Sequence, residues 1–155
     1  MKVLIYIIIA VVLLVAAAAV YVRVAAIDPT GLHVNPNDVV PPSSPNYALL
    51  TGTTGSYIDV PPSEVATRLA ALAEANNAQL LEGSPDDGLV TYIVRSRIMG
   101  FPDVVSIALT PEGAGTQVDL FSRSIYGYSD LGVNTARAQD WLQTMRGATV
   151  FSDGD

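Results

Sequence analysis

The sequence predicts an α+β protein: a single N-terminal transmembrane helix, then a small antiparallel sheet with two helices packed on one face. Three observations predict this class. Residues 3–22 form one apolar run, several later segments alternate apolar and polar side chains, and two segments repeat apolar side chains at helical spacing. The predicted order after the transmembrane helix is β-α-β-β-β-β-α.

Residues 3–22 contain no charged, amide or hydroxyl side chain except the phenols of Tyr6 and Tyr21. At about 1.5 Å per residue, a helix of this length spans about 30 Å, the thickness of the hydrocarbon core of a bilayer. The apolar core of a secretory signal is shorter, about 7 to 15 residues, so the run predicts an uncleaved anchor. The alternative is cleavage as a signal peptide at the small residues 16–19 or 25–26.

The charges that flank this run, Lys2 and Arg23, balance each other, so the positive-inside rule gives little preference for orientation. For a short N-terminal tail the default is a tail inside and a domain outside. We divide the chain into an anchor, a proline-rich stalk, an α+β domain and an acidic tail, which comprise residues 1–27, 28–50, 51–149 and 150–155.

The predicted stalk is rich in proline, which occurs at positions 29, 36, 41, 42 and 45. Closely spaced prolines disfavour a helix and favour an extended, polyproline-like chain. We therefore expect residues 28–45 to have no helix or sheet of their own. The single histidine, His33, lies in this stretch, and we expect it to be a surface imidazole.

Composition restricts the classes of partner and chemistry. The formal net charge of −7 argues against nucleic acid and against adhesion to anionic lipid. The absence of cysteine from the sequence excludes disulfides, thiolate catalysis and Cys-ligated metal sites. No dinucleotide, phosphate-loop or metal motif occurs in the sequence, so we predict no cofactor.

The segment after the stalk supplies the predicted sheet and its first helix. A helix is expected to begin with Ser63 as its N-cap, after Pro61 and Pro62. The apolar stripe of this helix consists of Val65, Leu69, Leu72 and Ala73. The predicted strands are residues 53–60, 79–82, 89–98, 104–110 and 116–123.

Strand alternation predicts which side chains face the core. The core face is expected to carry Val90, Tyr92, Val94, Val118 and Leu120. Asp119, Phe121 and Arg123 are expected on the opposite face. The last helix is predicted to have Asn134 as its N-cap and to end at Gly147. Its buried stripe consists of Ala138, Trp141, Leu142 and Met145.

Residues 122–137, together with Arg95-Ser96-Arg97, form the most distinctive stretch of the chain. The stretch resembles the domain-of-unknown-function 1499 family, in which a repeated Arg-Ser pattern precedes a Gly-x-x-Asp-x-Gly-x-Asn-x-x-Arg core. Here the core positions are filled by Gly127, Asp130, Gly132, Asn134 and Arg137. The resemblance implies a bacterial or plastid membrane or secreted setting and supplies no established activity. With the anchor, it predicts a bacterial inner membrane protein whose C-terminal domain is periplasmic.

Two interpretations of this motif remain open. In the first it is a structural clasp, in which Asp130 accepts hydrogen bonds from loop N–H groups or pairs with Arg137 or Arg123. In the second it is an anion or partner site, because Arg95, Arg97 and Arg123 share strand parity and could project near the N-terminus of the last helix. The candidate site residues are Arg95, Arg97, Arg123, Asp130, Asn134 and Arg137.

The predicted function is a membrane-anchored, non-catalytic binding module, an accessory or assembly subunit of a larger membrane complex. Its expected partners are the bilayer, through residues 3–22, and another membrane protein. The alternatives are a carrier of a small apolar or anionic ligand and an enzyme of unknown reaction. A solid core favours the module, whereas a cavity of several hundred Å³ favours the carrier. The core residues that decide this are Tyr92, Val94, Val118, Leu120 and Trp141.

Overall fold

The structure is a computed structural model that describes residues 1–97 and 99–147. The predicted acidic tail and the last residue of the predicted strand 89–98 lie outside the described residues. The elements, in chain order, are α1 (Lys2–Val24), β1 (Tyr47–Leu50), β2 (Ser56–Ile58), α2 (Pro62–Ala75), β3 (Gln79–Ser84), β4 (Leu89–Arg95), β5 (Pro102–Glu112), β6 (Gly115–Ser124) and α3 (Val133–Met145).

Helix α1 is a single uninterrupted helix. Its mean hydropathy reaches 3.2, and its length and composition are those of a membrane span, properties that a signal sequence near an N-terminus shares. The structure describes every residue of α1, and none of them is buried against the rest of the chain. The helix is therefore no part of the domain core, and its apolar surface is available to lipid.

The remaining elements form the predicted α+β domain. The sheet is antiparallel, in the order β1-β6-β5-β4-β3, with β2 also paired to β6. Both helices after α1 pack on one face, where Trp141 is 1% exposed and lies edge-on to Tyr92, with ring centroids 6.3 Å apart. The predicted core face is confirmed: Val90, Tyr92, Val94, Val118 and Leu120 are all buried in this cluster.

The edge beside β6 differs from the prediction. Residues 53–60 were expected to form one strand, but the edge consists of β1, opposite residues 120–123, and the shorter β2, opposite residues 116–118. A 3₁₀ turn at Gly52–Thr54 separates them. The backbone N–H of Gly52 donates to Oδ1 of the buried Asp119 at 2.9 Å, which holds the chain in this turn and interrupts the strand.

The helix starts also differ from the prediction. Helix α2 begins at Pro62 after Pro61, without a side-chain cap, so Ser63 is not its N-cap. Proline suits the first helical position because its missing N–H would have no partner there. Helix α3 begins after Gly132, whose φ of +84° favours glycine, and Asn134 lies inside the first turn. The predicted end is confirmed, since Gly147 follows α3 with a φ of +86°.

Residues 28–45 do not form a free stalk, because this N-terminal segment packs across the second face of the sheet. The second face carries buried apolar side chains, among them Val104 and Phe121, that need a cover. Pro36 is buried and begins a short 3₁₀ turn, and Asn37 donates to Asp119 at 2.8 Å. Turns at residues 30–32 and 36–38 interrupt the extended chain that the prolines predict, and the sheet is covered on both faces.

His33 fastens this segment and is not a surface imidazole. Its Nδ1 lies 2.9 Å from Oγ1 of Thr91, which in turn lies 3.1 Å from Oγ of Ser106. Both hydroxyl residues have zero exposure, so the ring is held by a buried polar pair. The sequence offered no local signal for this contact, since Thr91 is 58 positions away.

Candidate functional site

The candidate site lies where β4 and β6 end and β5 begins. We call this end of the sheet the proximal edge and define it by residues 95–97, 99–103 and 124–133. Strand pairing brings these residues together, because Arg95 is opposite Pro102 and Asp103 is opposite Ser124. The end of α1 contacts this edge. Nη1 of Arg95 donates to the carbonyl of Val22 at 3.0 Å, and Nη2 of Arg23 donates to the carbonyl of Arg97 at 3.1 Å.

An open groove of about 820 Å³ lies at the proximal edge, between the end of α2, the end of β4 and the start of α3. Three of the predicted site residues line it: Arg95, Arg97 and Arg137. Asn76 and Asn77 contribute amides from the end of α2. The groove therefore combines guanidinium and amide donors, the groups that recognise carboxylates.

Arg137 has a carboxylate partner, Asp103, that is not among the predicted site residues. Its Nη2 donates to Oδ2 of Asp103 at 2.8 Å, and the two side chains are only 13% and 7% exposed. The carboxylate that pairs with Arg137 is therefore Asp103 and not Asp130. The strand pattern did contain a signal for this pair. Position 103 lies on the same face of β5 as the buried Val105 and Ile107, and a charge that is buried there needs a partner.

Asn134 forms the centre of a buried clasp. Its Nδ2 donates to the carbonyl of Asn46 at 3.1 Å and to Oγ of Ser124 at 2.9 Å. Its Oδ1 accepts from Arg137 at 2.9 Å and from the hydroxyl of Ser122. Asn134 has zero exposure, so the whole amide is used to join α3 to β6 and to the residues before β1.

Asp130, and not the predicted Asn134, accepts hydrogen bonds from the free backbone N–H groups at the start of α3. Its Oδ2 accepts from the backbone N–H of Asn134 at 2.7 Å, and its Oδ1 accepts from that of Gly132 at 3.1 Å. Burial alone would raise the pKa of the Asp130 carboxyl, but these hydrogen bonds from Asn134 and Gly132 outweigh it and lower that pKa. The prediction that Asp130 accepts from loop N–H groups is confirmed.

This cap makes the stability of the domain depend on pH. A carboxyl whose pKa is lowered by folding stabilises the fold above its unfolded pKa, about 3.9, and loses that effect as the pH falls through the lower folded value. We expect Asp130→Asn to lower the free energy of unfolding by about 1 kcal/mol at neutral pH. The difference from the natural protein should shrink below about pH 4. Unfolding of the full chain in detergent, measured across this range, checks this.

The matched control is Asp140→Asn, because Asp140 is an exposed carboxylate on the same helix. It should leave stability unchanged at every pH. A loss that is equally large at acid and neutral pH for Asp130→Asn would contradict the ionised cap.

Arg123 does not join the groove. It projects from the face of the sheet opposite α3, where its Nη2 donates to the carbonyl of Leu32 at 2.6 Å and its guanidinium lies 4.5 Å from the ring centre of Phe121. Burial lowers its pKa to about 10. The expectation that Arg95, Arg97 and Arg123 gather at the start of α3 is therefore wrong for Arg123, which fastens the N-terminal segment instead.

Comparison with known proteins adds one relationship. No curated protein matches the chain. A family model described as "Protein of unknown function (DUF1499)" matches residues 30–145. The match begins within the segment that covers the second face and extends to the last residue of α3, so it includes the clasp, the cap and the groove. Because it comprises most of the sequence, the chain belongs to the DUF1499 family of proteins of unknown function.

Proposed function

We propose that this protein is a membrane-anchored, non-catalytic binding module that serves as an accessory or assembly subunit of a larger membrane protein complex. The observation that carries the proposal is the arginine-lined groove at the proximal edge, which lies beside the end of α1. A site in this place meets segments of other membrane proteins that emerge close to the bilayer. We further propose that the domain faces the periplasm of a bacterium.

The packing of the core supports binding at the surface over storage of a ligand inside. Val118 and Leu120 have zero exposure, and Trp141 is 1% exposed. These side chains pack against one another and against Tyr92 in one cluster beneath α2 and α3. A carrier of the predicted kind would have a cavity where they meet.

The chemistry of the groove indicates an acidic partner segment. The charge of Arg137 is offset by Asp103. Arg95 donates instead to the carbonyls of Val22 and Gly100, which are uncharged and do not neutralise its positive charge. The side chain of Arg97 is exposed. Guanidinium groups in this situation bind carboxylates through paired hydrogen bonds.

The surroundings of His33 support a non-catalytic role. An imidazole beside a hydroxyl is the contact that activates a nucleophile, but Thr91 and Ser106 have zero exposure, so a substrate has no access to them. Asp119 and Asp130, two carboxylates that would have to lie close together to act as a catalytic pair, are also separated. Asp119 lies on the second face, and Asp130 caps the helix that packs on the first.

A second cavity gives the carrier hypothesis a specific location. It measures about 480 Å³ and lies under the N-terminal segment, where Val34, Val39 and Phe121 line it beside Arg123. These residues suit a small apolar carboxylate. Asp38 lines the same cavity, however, and its carboxylate would repel such a ligand, so we favour the binding module.

The test of the groove is a charge reversal at its most accessible arginine. Arg97→Glu should reduce co-purification of the partner at least tenfold, because a carboxylate then opposes the acidic segment. The measurement is affinity purification of the tagged full chain in mild detergent, followed by quantitative mass spectrometry.

Arg97→Lys is the matched control, since it keeps the charge and should retain most of the binding. Melting temperatures of both variants should equal that of the natural protein, because the side chain is exposed. Full retention of the same partners by Arg97→Glu would overturn the assignment of the groove.

A further inference from the structure

The proximal edge carries a group of exposed apolar side chains that the groove does not use. We call Phe101, Tyr126, Tyr128 and Leu131 the aromatic ridge. They are 41%, 48%, 75% and 95% exposed, respectively. Phe101 and Tyr126 contact each other edge-on, with ring centres 6.4 Å apart, and this contact joins the residues before β5 to the loop before α3, which also carries Tyr128 and Leu131. Large apolar side chains grouped in this way on a small domain mark an interaction surface.

The position of the ridge relative to α1 indicates what it contacts. The Arg95 guanidinium donates both to the carbonyl of Val22, in the last turn of α1, and to the carbonyl of Gly100, the residue before Phe101. A single side chain therefore joins the end of the anchor to the start of the ridge. If α1 crosses a bilayer, its last turn lies at the surface of that bilayer, and the ridge lies there too.

The residue types of the ridge suit the lipid–water interface. Tyrosine is enriched at this depth because its ring is apolar and its hydroxyl reaches water, and arginine extends its charge into the headgroups. The proximal edge has both, since Arg23, Arg95 and Arg97 lie beside the ridge. Its carboxylates are engaged: Asp103 pairs with Arg137, and Asp130 caps α3.

The opposite edge of the sheet has the reverse character. Strand pairing places there the turn before β4, the end of β5 and the residues after β2. Carboxylates occupy these positions: Asp59, Asp86, Asp87 and Glu112. Arg146 lies beside Glu112 at this end, but the four carboxylates outnumber it, so the acidic edge lies away from the end of α1.

Leu131 provides an independent indication. It has a φ of +54°, a conformation that leucine rarely adopts, and its side chain is almost fully exposed. Neither property stabilises the folded domain in water. A leucine that is presented outward in this way gains free energy when an apolar phase receives it.

We propose that the aromatic ridge inserts into the interfacial layer of the same bilayer that α1 crosses, so that the domain lies against the membrane with its acidic edge outward. The inference rests on the anchoring role of α1 in the proposed function. It adds a second lipid contact and fixes the orientation of the domain, and with it the direction in which the groove opens. It does not depend on the identity of the protein partner.

The cysteine-free sequence allows a direct test. Single variants Tyr128→Cys and Leu131→Cys in the full chain are labelled with a small environment-sensitive fluorophore and reconstituted into phosphatidylcholine vesicles. Quenching by a lipid-borne spin label and by aqueous iodide is then measured. Glu112→Cys, at the acidic edge, and Val12→Cys, within α1, serve as controls.

The proposal expects ridge labels to be quenched by the lipid-borne probe at least twice as strongly as the Glu112→Cys label, and to be less accessible to iodide. Lipid quenching at Val12→Cys but not at the ridge would overturn the proposal and leave the anchor intact. Lipid quenching at neither place would overturn both. Protection of the ridge from both quenchers would indicate a second copy on the ridge and would also overturn the proposal.

Discussion

Replacing Asp103 by alanine should lower the free energy of unfolding by roughly 3 to 5 kcal/mol, because it leaves a guanidinium with little solvent access and without its counter-charge. The carboxylate accepts from Arg137 at 2.8 Å, and both side chains are nearly buried between α3 and the sheet. The loss is a large share of the stability of a small domain. Chemical denaturation of the full chain in detergent, followed by the fluorescence of Trp141, the single tryptophan, measures it.

Two further variants separate the ion pair from a general effect of removing a carboxylate. Asp140→Ala, on the exposed side of α3, should change the free energy of unfolding by less than about 0.5 kcal/mol. The double variant Asp103→Leu/Arg137→Leu should recover much of the loss, since it removes both buried charges. An Asp103→Ala protein as stable as Asp140→Ala would contradict this account of the site.

The second large effect is expected in α1. Val12→Arg places a charge at the middle of the apolar helix, where translocon scales assign a cost of about 2.5 to 3.5 kcal/mol. We therefore expect the variant to be lost from the membrane fraction after a carbonate wash, whereas the natural chain remains there. Immunoblotting of the two fractions measures the change.

Val12→Leu is the matched control and should partition as the natural chain does. Protease added to spheroplasts should digest the domain of the natural protein if it faces the periplasm. A mature chain that begins near Ala26 or Ile27 and stays in the wash would contradict the anchor and identify α1 as a cleaved signal. The proposed function and the ridge proposal would then lose their basis.

Local pattern predicts those parts of the fold that depend on neighbouring residues. The alternation from Val90 to Val94 predicts a strand and its buried face, because successive side chains in a strand point to opposite faces. The spacing of Ala138, Trp141 and Met145 predicts the buried stripe of α3 in the same way, since a helix returns to one face every 3 to 4 residues. In both cases the information lies within a dozen positions.

The candidate site was only partly predictable, because its contacts join distant positions. Asp130 and Gly132 indicate a tight turn before α3 from their residue types alone. Asn134 is also a residue that begins helices, yet it lies in a buried network with Asn46, 88 positions away. The partner of Arg137 is 34 positions away, and several acidic residues were possible candidates.

The N-terminal segment illustrates the same limit on a larger scale. Its prolines predict an extended chain, but nothing within residues 28–45 indicates the turns at residues 30–32 and 36–38 or the sheet that the segment covers. That cover is required by Val104 and Phe121, which make the second face apolar, and by Arg123, which donates to Leu32. Whether an extended segment is a free spacer or a layer of the domain depends on a surface formed elsewhere.

Residues that lie close together in the chain encode the apolar helix, the order and type of most elements, the core face and the DUF1499 motif, so the sequence predicts these features. Long-range packing separates Arg123 from Arg95 and Arg97, pairs Asp103 with Arg137, and brings the groove and the aromatic ridge to the same edge as the end of α1. Local patterns do not encode these contacts, because charges and exposed apolar groups are paired by distance in space, which strand register and helix packing set together.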